Sequence, residues 1–226
     1  AARASWEPAL RINPKLPEEI RTRLEQRAHA IEAGLTAQEF SNFQLHFHGS
    51  EQLEKAWQAV HHFNEAYNAL GSCFGIFPPK RIPVIIFTSE EFAEAWNAPF
   101  WLGGFFDKRD GKVRVRVDDP PGGESELRRR LRHEFTHAFI YQLYPKDLPI
   151  WFQEGAAQFY AYAHPTDSFW KENRLEELKK LMKGVPWLGM ERLEQVISKK
   201  EAAPIYVYLA YLELHSNTEL LLLGLK

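Results

Sequence analysis

The sequence predicts an α+β fold, with a small mixed β-sheet of three or four strands flanked by helices. Three short apolar runs with strand-like patterning predict the sheet, at residues 42–48, 81–87 and 112–118. Longer segments with an apolar residue at every third or fourth position lie between these runs and predict the flanking helices. Beyond residue 148 the patterning is helical and is punctuated by proline and glycine, which predicts a helical C-terminal subdomain.

This order of elements suggests three parts. Residues 1–41 form a predicted N-terminal helical extension, residues 42–144 a predicted α/β subdomain, and residues 145–226 the predicted C-terminal subdomain. A chain of 226 residues fits one large domain or a domain with an appendage. Its 45% hydrophobic content can bury a substantial core, which excludes disorder of the whole chain.

The composition also excludes several classes of partner and site. A formal net charge of −2 gives no general attraction to nucleic acid or to an anionic membrane. No apolar run reaches the length of a transmembrane helix, so we expect a soluble domain without a transmembrane segment. Separately, we expect the chain to be a monomer. The single cysteine, Cys73, excludes an intramolecular disulfide and a cysteine-rich zinc site. We interpret it as a small buried hydrophobic residue.

The N-terminal half is predicted to begin with a charged helix. Two prolines, Pro14 and Pro17, precede a strongly charged helical segment at residues 18–33, which Gly34 ends. This helix either covers the rest of the fold or is the remnant of an upstream region. Residues 42–48 then alternate between apolar and polar side chains, as expected of a half-buried strand.

A long amphipathic helix is predicted next, at residues 51–70, with its aromatic residues in the core. The near-continuous apolar run at residues 81–87 is typical of a central strand that is covered on both faces. A capping box from Thr88 to Glu91 predicts the start of a short helix that extends to about Trp96.

Two further segments separate this short helix from the next long one. Residues 99–107 are rich in glycine and aromatic residues, and we interpret them as a loop. Residues 112–118 alternate cleanly, and we expect their valines to face inward and their basic residues to face solvent. The inward and outward sets are Val113, Val115 and Val117, and Lys112, Arg114 and Arg116. Alternating charges of this kind commonly protect an edge strand from pairing, so the pattern predicts an edge strand here.

The motif His-Glu-Phe-Thr-His lies in a predicted helix at residues 125–144. His133 and His137 are one turn apart on the same helix face, so both rings can bind one zinc ion. Glu134 lies about 100° around the helix from His133 and about 60° from His137, beside that ion. The pattern H-E-x-x-H indicates a zinc hydrolase whose glutamate is the general base. A solvated charged helix face is the alternative, and the apolar stripe on the same helix argues against it.

A catalytic zinc centre needs a third protein ligand in addition to the two histidines. Glu154 is the one acid in an apolar, small-residue stretch of the next predicted helix. Burying an unpaired carboxylate is costly, and a zinc ion would offset that cost. The alternative is an exposed Glu154 on a polar face. Gln158, one turn later, is a candidate acceptor for the second N–H of a liganding histidine.

His-Glu-Phe-Thr-His, followed after a short loop by the run Leu-Pro-Ile-Trp-Phe-Gln-Glu-Gly-Ala-Ala, resembles the gluzincin metallopeptidases. The likeness is strongest to the small peptidase MA-like proteins of bacteria. The resemblance implies one Zn²⁺ per chain, bound by His133, His137 and Glu154, with Glu134 as the general base. The chain departs from the larger gluzincins at Gln158, where they have an aspartate.

The function that this resemblance implies is zinc-dependent hydrolysis of peptide bonds by a zinc-activated water, of the endopeptidase type. A peptide or protein substrate would pair with the predicted edge strand at residues 112–118 by β-augmentation. Related enzymes stabilise the oxyanion with a tyrosine or histidine of the C-terminal subdomain; Tyr206 is our first candidate, before His164 and His215. Several members of the family are exported or membrane-tethered in full-length form, so the resemblance leaves localisation open.

Two alternatives to an active peptidase stay open. One is a zinc-bound protein of the same fold that is latent, or that binds a peptide or protein partner without cleaving it. The other is a metal-free interaction module in which His-Glu-Phe-Thr-His is coincidental. Assays of hydrolysis before and after limited proteolysis address the first alternative, and metal analysis addresses the second.

Overall fold

The computed structural model describes most of the first 162 residues and divides the chain into two compact units, residues 1–145 and 146–226. The described ranges are 18–49, 53–96, 103–118, 123–145 and 148–162. The three-part domain division expected from the sequence stays a prediction.

The described part of the first unit contains four helices and five strands. The helices are α1 (Glu18–Ala33), α2 (Leu53–Phe74), α3 (Ser89–Trp96) and α4 (Gly123–Leu143). The strands are β1 (Thr36–Glu39), β2 (Phe43–Phe47), β3 (Ile82–Phe87), β4 (Gly104–Asp107) and β5 (Lys112–Arg116). The described part of the second unit contains one helix, α5 (Ile150–Tyr162).

The sheet has the order β1-β2-β3-β5-β4, with parallel pairing among β2, β3 and β5 and antiparallel pairing at both edges. A mixed sheet with flanking helices is thereby confirmed, but the predicted number of three to four strands is wrong. The two missed strands lack the expected signals. Strand β1 reads Thr-Ala-Gln-Glu and is largely exposed, so it carries no apolar pattern. Strand β4 reads Gly-Phe-Phe-Asp and lies within the segment interpreted as a loop.

The prediction that residues 112–118 form an edge strand is wrong. Strand β5 pairs with β3 on one side and with β4 on the other, so β4 is the edge on this side of the sheet. Arg114 and Arg116 are buried, at 1% and 8% exposure, and do not face solvent as expected. The physical reason is that helices α1 and α3 cover the face of the sheet on which the Arg114 side chain lies.

Helices cover both faces of the sheet. On one face, Phe63 of α2 contacts Phe43 of β2 at 5.8 Å and Phe135 of α4 at 5.2 Å between ring centroids. On the other face, α1 and α3 enclose a separate apolar cluster. Its buried members are Ala28, Ile85, Phe87, Phe92, Ala95, Trp96 and Phe105. Helix α1 therefore covers the sheet, which was one of the two interpretations of its charged sequence.

Arg114 is the centre of a buried ionic network on this second face. Its Nε donates to Glu32 of α1 at 2.7 Å, and its Nη2 donates to Asp110 at 2.6 Å. Its guanidinium also lies over the rings of Trp96 and Phe105, at 5.2 and 5.7 Å from their centroids. Through these contacts Arg114 of β5 is joined to α1, to α3 and to the edge strand β4, so the network holds together the part of the sheet formed by β4 and β5.

Two smaller expectations have clear outcomes. The capping box is confirmed: the Glu91 N–H donates to Thr88 Oγ1 at 3.1 Å, and the Thr88 N–H donates to Glu91 Oε2 at 2.8 Å. The interpretation of Cys73 as buried is wrong, because it lies exposed near the end of α2. Among the helices described, none is both long enough and apolar enough to cross a membrane.

Candidate metal centre

Helix α4 carries His133, Glu134 and His137 in its middle turns. The helix begins at Gly123, whose φ of +65° lies in the left-handed region that glycine tolerates. Glu124 in the first turn suits the positive end of the helix dipole. These local features start α4 ten residues before its first histidine, so the motif lies where the helix is fully formed.

The orientation of α4 is set by its apolar side. Phe135 packs on Phe63, and Phe139 packs on Tyr67 at 5.7 Å and on Phe74 at 6.0 Å. The predicted apolar stripe is therefore confirmed, which leaves the face with the histidines half-buried. Sequence reasoning did not predict that two basic residues of the helix, Arg129 and Arg132, are buried as well.

The two histidine rings converge on one point beside the helix. Their Nε2 atoms are 3.3 Å apart, and their planes are inclined at 79°. Two nitrogen ligands at about 2.0–2.1 Å from a tetrahedral zinc ion lie roughly 3.3–3.4 Å apart. The separation of His133 and His137 thus fits joint zinc ligation. Without metal, the same distance allows one ring N–H to donate to the other ring nitrogen.

Glu134 lies over the start of the edge strand. A methyl group added at Gly104 would lie 3.2 Å from Glu134 Cγ, and one added at Gly103 would lie 1.9 Å from Arg130 Nε. The two glycines therefore allow two side chains of α4, one turn apart, to lie directly on the strand. Sequence reasoning missed this contact. The signal that could have indicated it is the adjacent pair of glycines before a short aromatic strand.

Arg130 supplies a positive charge next to Glu134. Its Nη1 donates to the backbone carbonyl of Arg116 at 3.1 Å. Burial lowers the pKa of Arg130, and the charge of Arg116 lowers it further, while nearby carboxylates including Glu134 oppose the shift. The guanidinium is therefore close enough to interact electrostatically with the carboxylate proposed as the general base.

Helix α5 carries Glu154 in the second unit. The helix starts after Pro149, whose carbonyl accepts the N–H groups of Phe152 and Gln153. Glu154 is buried at 7% exposure and is followed by the buried small residues Ala156 and Ala157. The alternative of an exposed Glu154 is therefore wrong, and its carboxylate lies in surroundings where an unpaired charge is costly.

His133 and His137 each offer a ring nitrogen on α4, and Glu154 offers a carboxylate oxygen on α5 of the second unit. Two imidazoles and one carboxylate form a donor set that suits zinc. The outer role expected of Gln158, which is half-buried, stays a prediction. Tyr206, His164 and His215, the candidates for oxyanion stabilisation, lie outside the described residues, as do the helices predicted beyond residue 162.

Comparison of this chain with known protein families and with functionally characterised proteins finds no match. The likeness to gluzincins therefore rests on the residues of two short segments, one in α4 and one in α5. The function has to be argued from the chemistry of those residues.

Proposed function

We propose that this chain is a zinc-dependent metallopeptidase of the endopeptidase type, with a peptide or protein as its substrate. The observation that carries the proposal is the 3.3 Å separation of the His133 and His137 Nε2 atoms, with Glu134 on the same helical turn. His133, His137 and Glu154 would bind the ion. Bound zinc would supply Lewis acidity, lowering the pKa of a water and polarising the scissile carbonyl.

Glu134 is the group that moves protons in this proposal. Its carboxylate accepts a proton from the attacking water and later donates it to the nitrogen of the leaving amine. The missing side chain of Gly104 leaves room for Glu134 to lie close to the sheet, and Arg130 lies one turn away. A carboxylate on a packed helix, supported by a strand, has the fixed position that general-base catalysis requires.

The edge strand β4, and not β5, is the proposed substrate-binding strand. The Arg116 N–H donates to the Gly103 carbonyl at 3.1 Å, which makes these two residues a hydrogen-bonded antiparallel pair. Because such pairs alternate, Gly104 and Phe106 direct their backbone groups away from β5. None of the described strands pairs with that outer side. An extended peptide added there would pass close to Glu134.

Gly104→Ala is expected to reduce kcat/KM by about 100-fold, the scale of a misplaced catalytic group. The added methyl would lie 2.8 Å from the Arg114 carbonyl oxygen and 2.8 Å from Val115 Cγ1, so β4 or Glu134 must move. Gly34→Ala is the matched control, because its methyl would meet only the Ile31 carbonyl at 3.6 Å. Steady-state kinetics on both variants test this, and unchanged kinetics for Gly104→Ala would contradict the role of β4.

The direct test of the proposed function combines metal removal with an assay of peptide cleavage. The full chain, incubated with a mixture of fluorogenic peptides, is expected to lose hydrolysis after chelation and to regain it with Zn²⁺. His137→Ala is expected to lose hydrolysis, whereas His29→Ala, at an exposed position of α1, is expected to keep it. Hydrolysis that survives chelation would overturn the proposal. Zinc binding without any hydrolysis would instead favour the latent or non-catalytic alternative.

A further inference from the structure

A second group of metal-ligating side chains lies on α2, away from the histidines of α4. His61, His62 and Glu65 offer one ligand atom each, all within 4.8 Å of one another. On a helix these positions fall within about 100° of arc, with Glu65 between the two histidines. His62 is buried at 3% exposure, whereas the side chain of His61 is 70% exposed. The group therefore has one fixed member and one member open to solvent.

The carboxylate of Glu65 has one oxygen near each histidine ring. Glu65 Oε1 is 3.5 Å from His61 Nε2, and Glu65 Oε2 is 3.5 Å from His62 Nδ1. Both separations are longer than the usual donor–acceptor distance of a hydrogen bond, which is about 2.7–3.2 Å. A nitrogen and an oxygen that bind one tetrahedral ion at about 2.0–2.2 Å lie roughly 3.3–3.5 Å apart. Each ring faces a different oxygen of the Glu65 carboxylate, so the carboxylate lies between the two histidines, where an ion could contact all three residues.

The other nitrogen of the buried ring points to an acid of a different helix. His62 Nε2 lies 3.9 Å from Glu124 Oε1, in the first turn of α4. A liganding histidine commonly directs its second N–H to a carboxylate, which fixes the tautomer and the ring orientation. The Glu124 side chain is 77% exposed and free of dense packing, so a small rotation would bring it to His62 Nε2 for this outer role, with His62 Nδ1 left to face Glu65.

We infer that His61, His62 and Glu65 form a second site for a divalent transition-metal ion, with Glu124 as its outer partner. Two imidazoles and a carboxylate suit zinc, and also cobalt, nickel or copper. The site is separate from the proposed catalytic centre, because Glu124 and His133 are nine residues, or about 14 Å, apart along α4. An ion bound there stabilises the packing of α2 on α4. This inference does not depend on the proposed peptidase function.

The test uses the full chain with His133 and His137 both changed to alanine, so that of the two clusters among the described residues the one on α2 remains. Equilibrium dialysis against buffered Zn²⁺ is expected to show one ion per chain. Adding His61→Ala is expected to weaken zinc binding by more than about 100-fold, the upper end of what loss of an outer partner costs. Co²⁺ in place of zinc is expected to give the visible absorption of a tetrahedral site, and His61→Ala is expected to abolish that absorption.

Two further variants distinguish a specific metal site that includes Glu124 from non-specific zinc binding by exposed side chains. Glu124→Gln is expected to weaken zinc binding by about 10–100-fold. Glu54→Gln, an exposed glutamate in the first turn of α2, is the matched control and is expected to have no effect. Because His61 is exposed, its alanine variant is expected to fold, and circular dichroism checks this. Absence of zinc binding in the His133/His137 variant, or binding that His61→Ala leaves unchanged, would overturn the inference.

Discussion

Glu134→Gln is expected to reduce kcat for peptide hydrolysis by about 10²–10⁴-fold, the usual contribution of a general base. The amide has nearly the same size and shape as the carboxylate, so the contact with Gly104 is kept while proton acceptance is lost. Zinc content is expected to stay at the parent level, since Glu134 is not one of the proposed ligands. Single-turnover kinetics together with metal analysis of the same samples measure both quantities.

Glu90→Gln is the control for this substitution. Glu90 is an exposed glutamate in the first turn of α3, so the change removes the same charge without touching α4. Parent kinetics are expected for it. If Glu134→Gln cleaved peptide as fast as the parent, the general base would have to be another residue. If it lost its zinc, Glu134 would have to act as a ligand.

Arg114→Met is expected to lower the free energy of unfolding by about 1–3 kcal/mol, the cost of removing one partner from buried hydrogen bonds. In the variant, Glu32, whose side chain is 7% exposed, loses its 2.7 Å contact to the guanidinium and keeps its 3.0 Å contact to Lys112 Nζ. It also removes the guanidinium that donates to Asp110 and lies over the ring of Trp96. Urea unfolding followed by tryptophan fluorescence measures the change.

Arg81→Met is the matched control for burial. Arg81 and Glu39 form an equally short contact of 2.8 Å, but their side chains are 50% and 61% exposed. Exposed pairs contribute at most about 1 kcal/mol, so a small effect is expected. Replacing Arg114 and Glu32 together by apolar residues is expected to recover part of the loss, because no buried charge of that pair remains. Equal effects of Arg114→Met and Arg81→Met would contradict the role assigned to the buried network.

Acid should weaken the same network. Burial alone would raise the pKa of Asp110, but the hydrogen bonds and charge of Arg114 outweigh it and keep the pKa below its usual value. The stability that ionised Asp110 contributes is therefore fully present above its unfolded pKa of about 3.9 and is lost as the pH falls through the lower folded value. The difference in free energy of unfolding between the parent and Arg114→Met is therefore expected to become smaller as the pH falls from about 3.9 through the lower folded-state pKa of Asp110.

Local patterns predicted the parts of the fold that depend on nearby residues. The apolar runs gave β2, β3 and β5, and the capping box gave the start of α3. The position of β5 within the sheet could not be predicted, because it depends on a four-residue strand that begins with glycine. The burial of Arg114 could not be predicted either. Its acceptor Glu32 is 82 residues away in sequence. From the strand sequence alone, alternating charged residues predict a face that is exposed to solvent.

The candidate site divides in the same way. His133 and His137 share one helix turn, so helix geometry alone predicts that their rings converge. The contact of Glu134 with Gly104 spans thirty positions and depends on how α4 lies on the sheet, which no local pattern encodes. The cluster on α2 was equally hidden. His61, His62 and Glu65 fit an ordinary polar helix face until the burial of His62 and the position of Glu124 are known.

The docking of α1 has a consequence for how the chain matures during synthesis. Helix α1 is made before the sheet that it covers, yet the covered surface includes Ile85, Phe87 and Phe105, and its ionic partner is Arg114. Contacts between residues so distant in sequence form late, after the chain between them is ordered. Until residue 114 has emerged, the ion pair that anchors α1 on that surface cannot form. The apolar surface under α1 is therefore held less firmly during this interval of synthesis than in the finished fold.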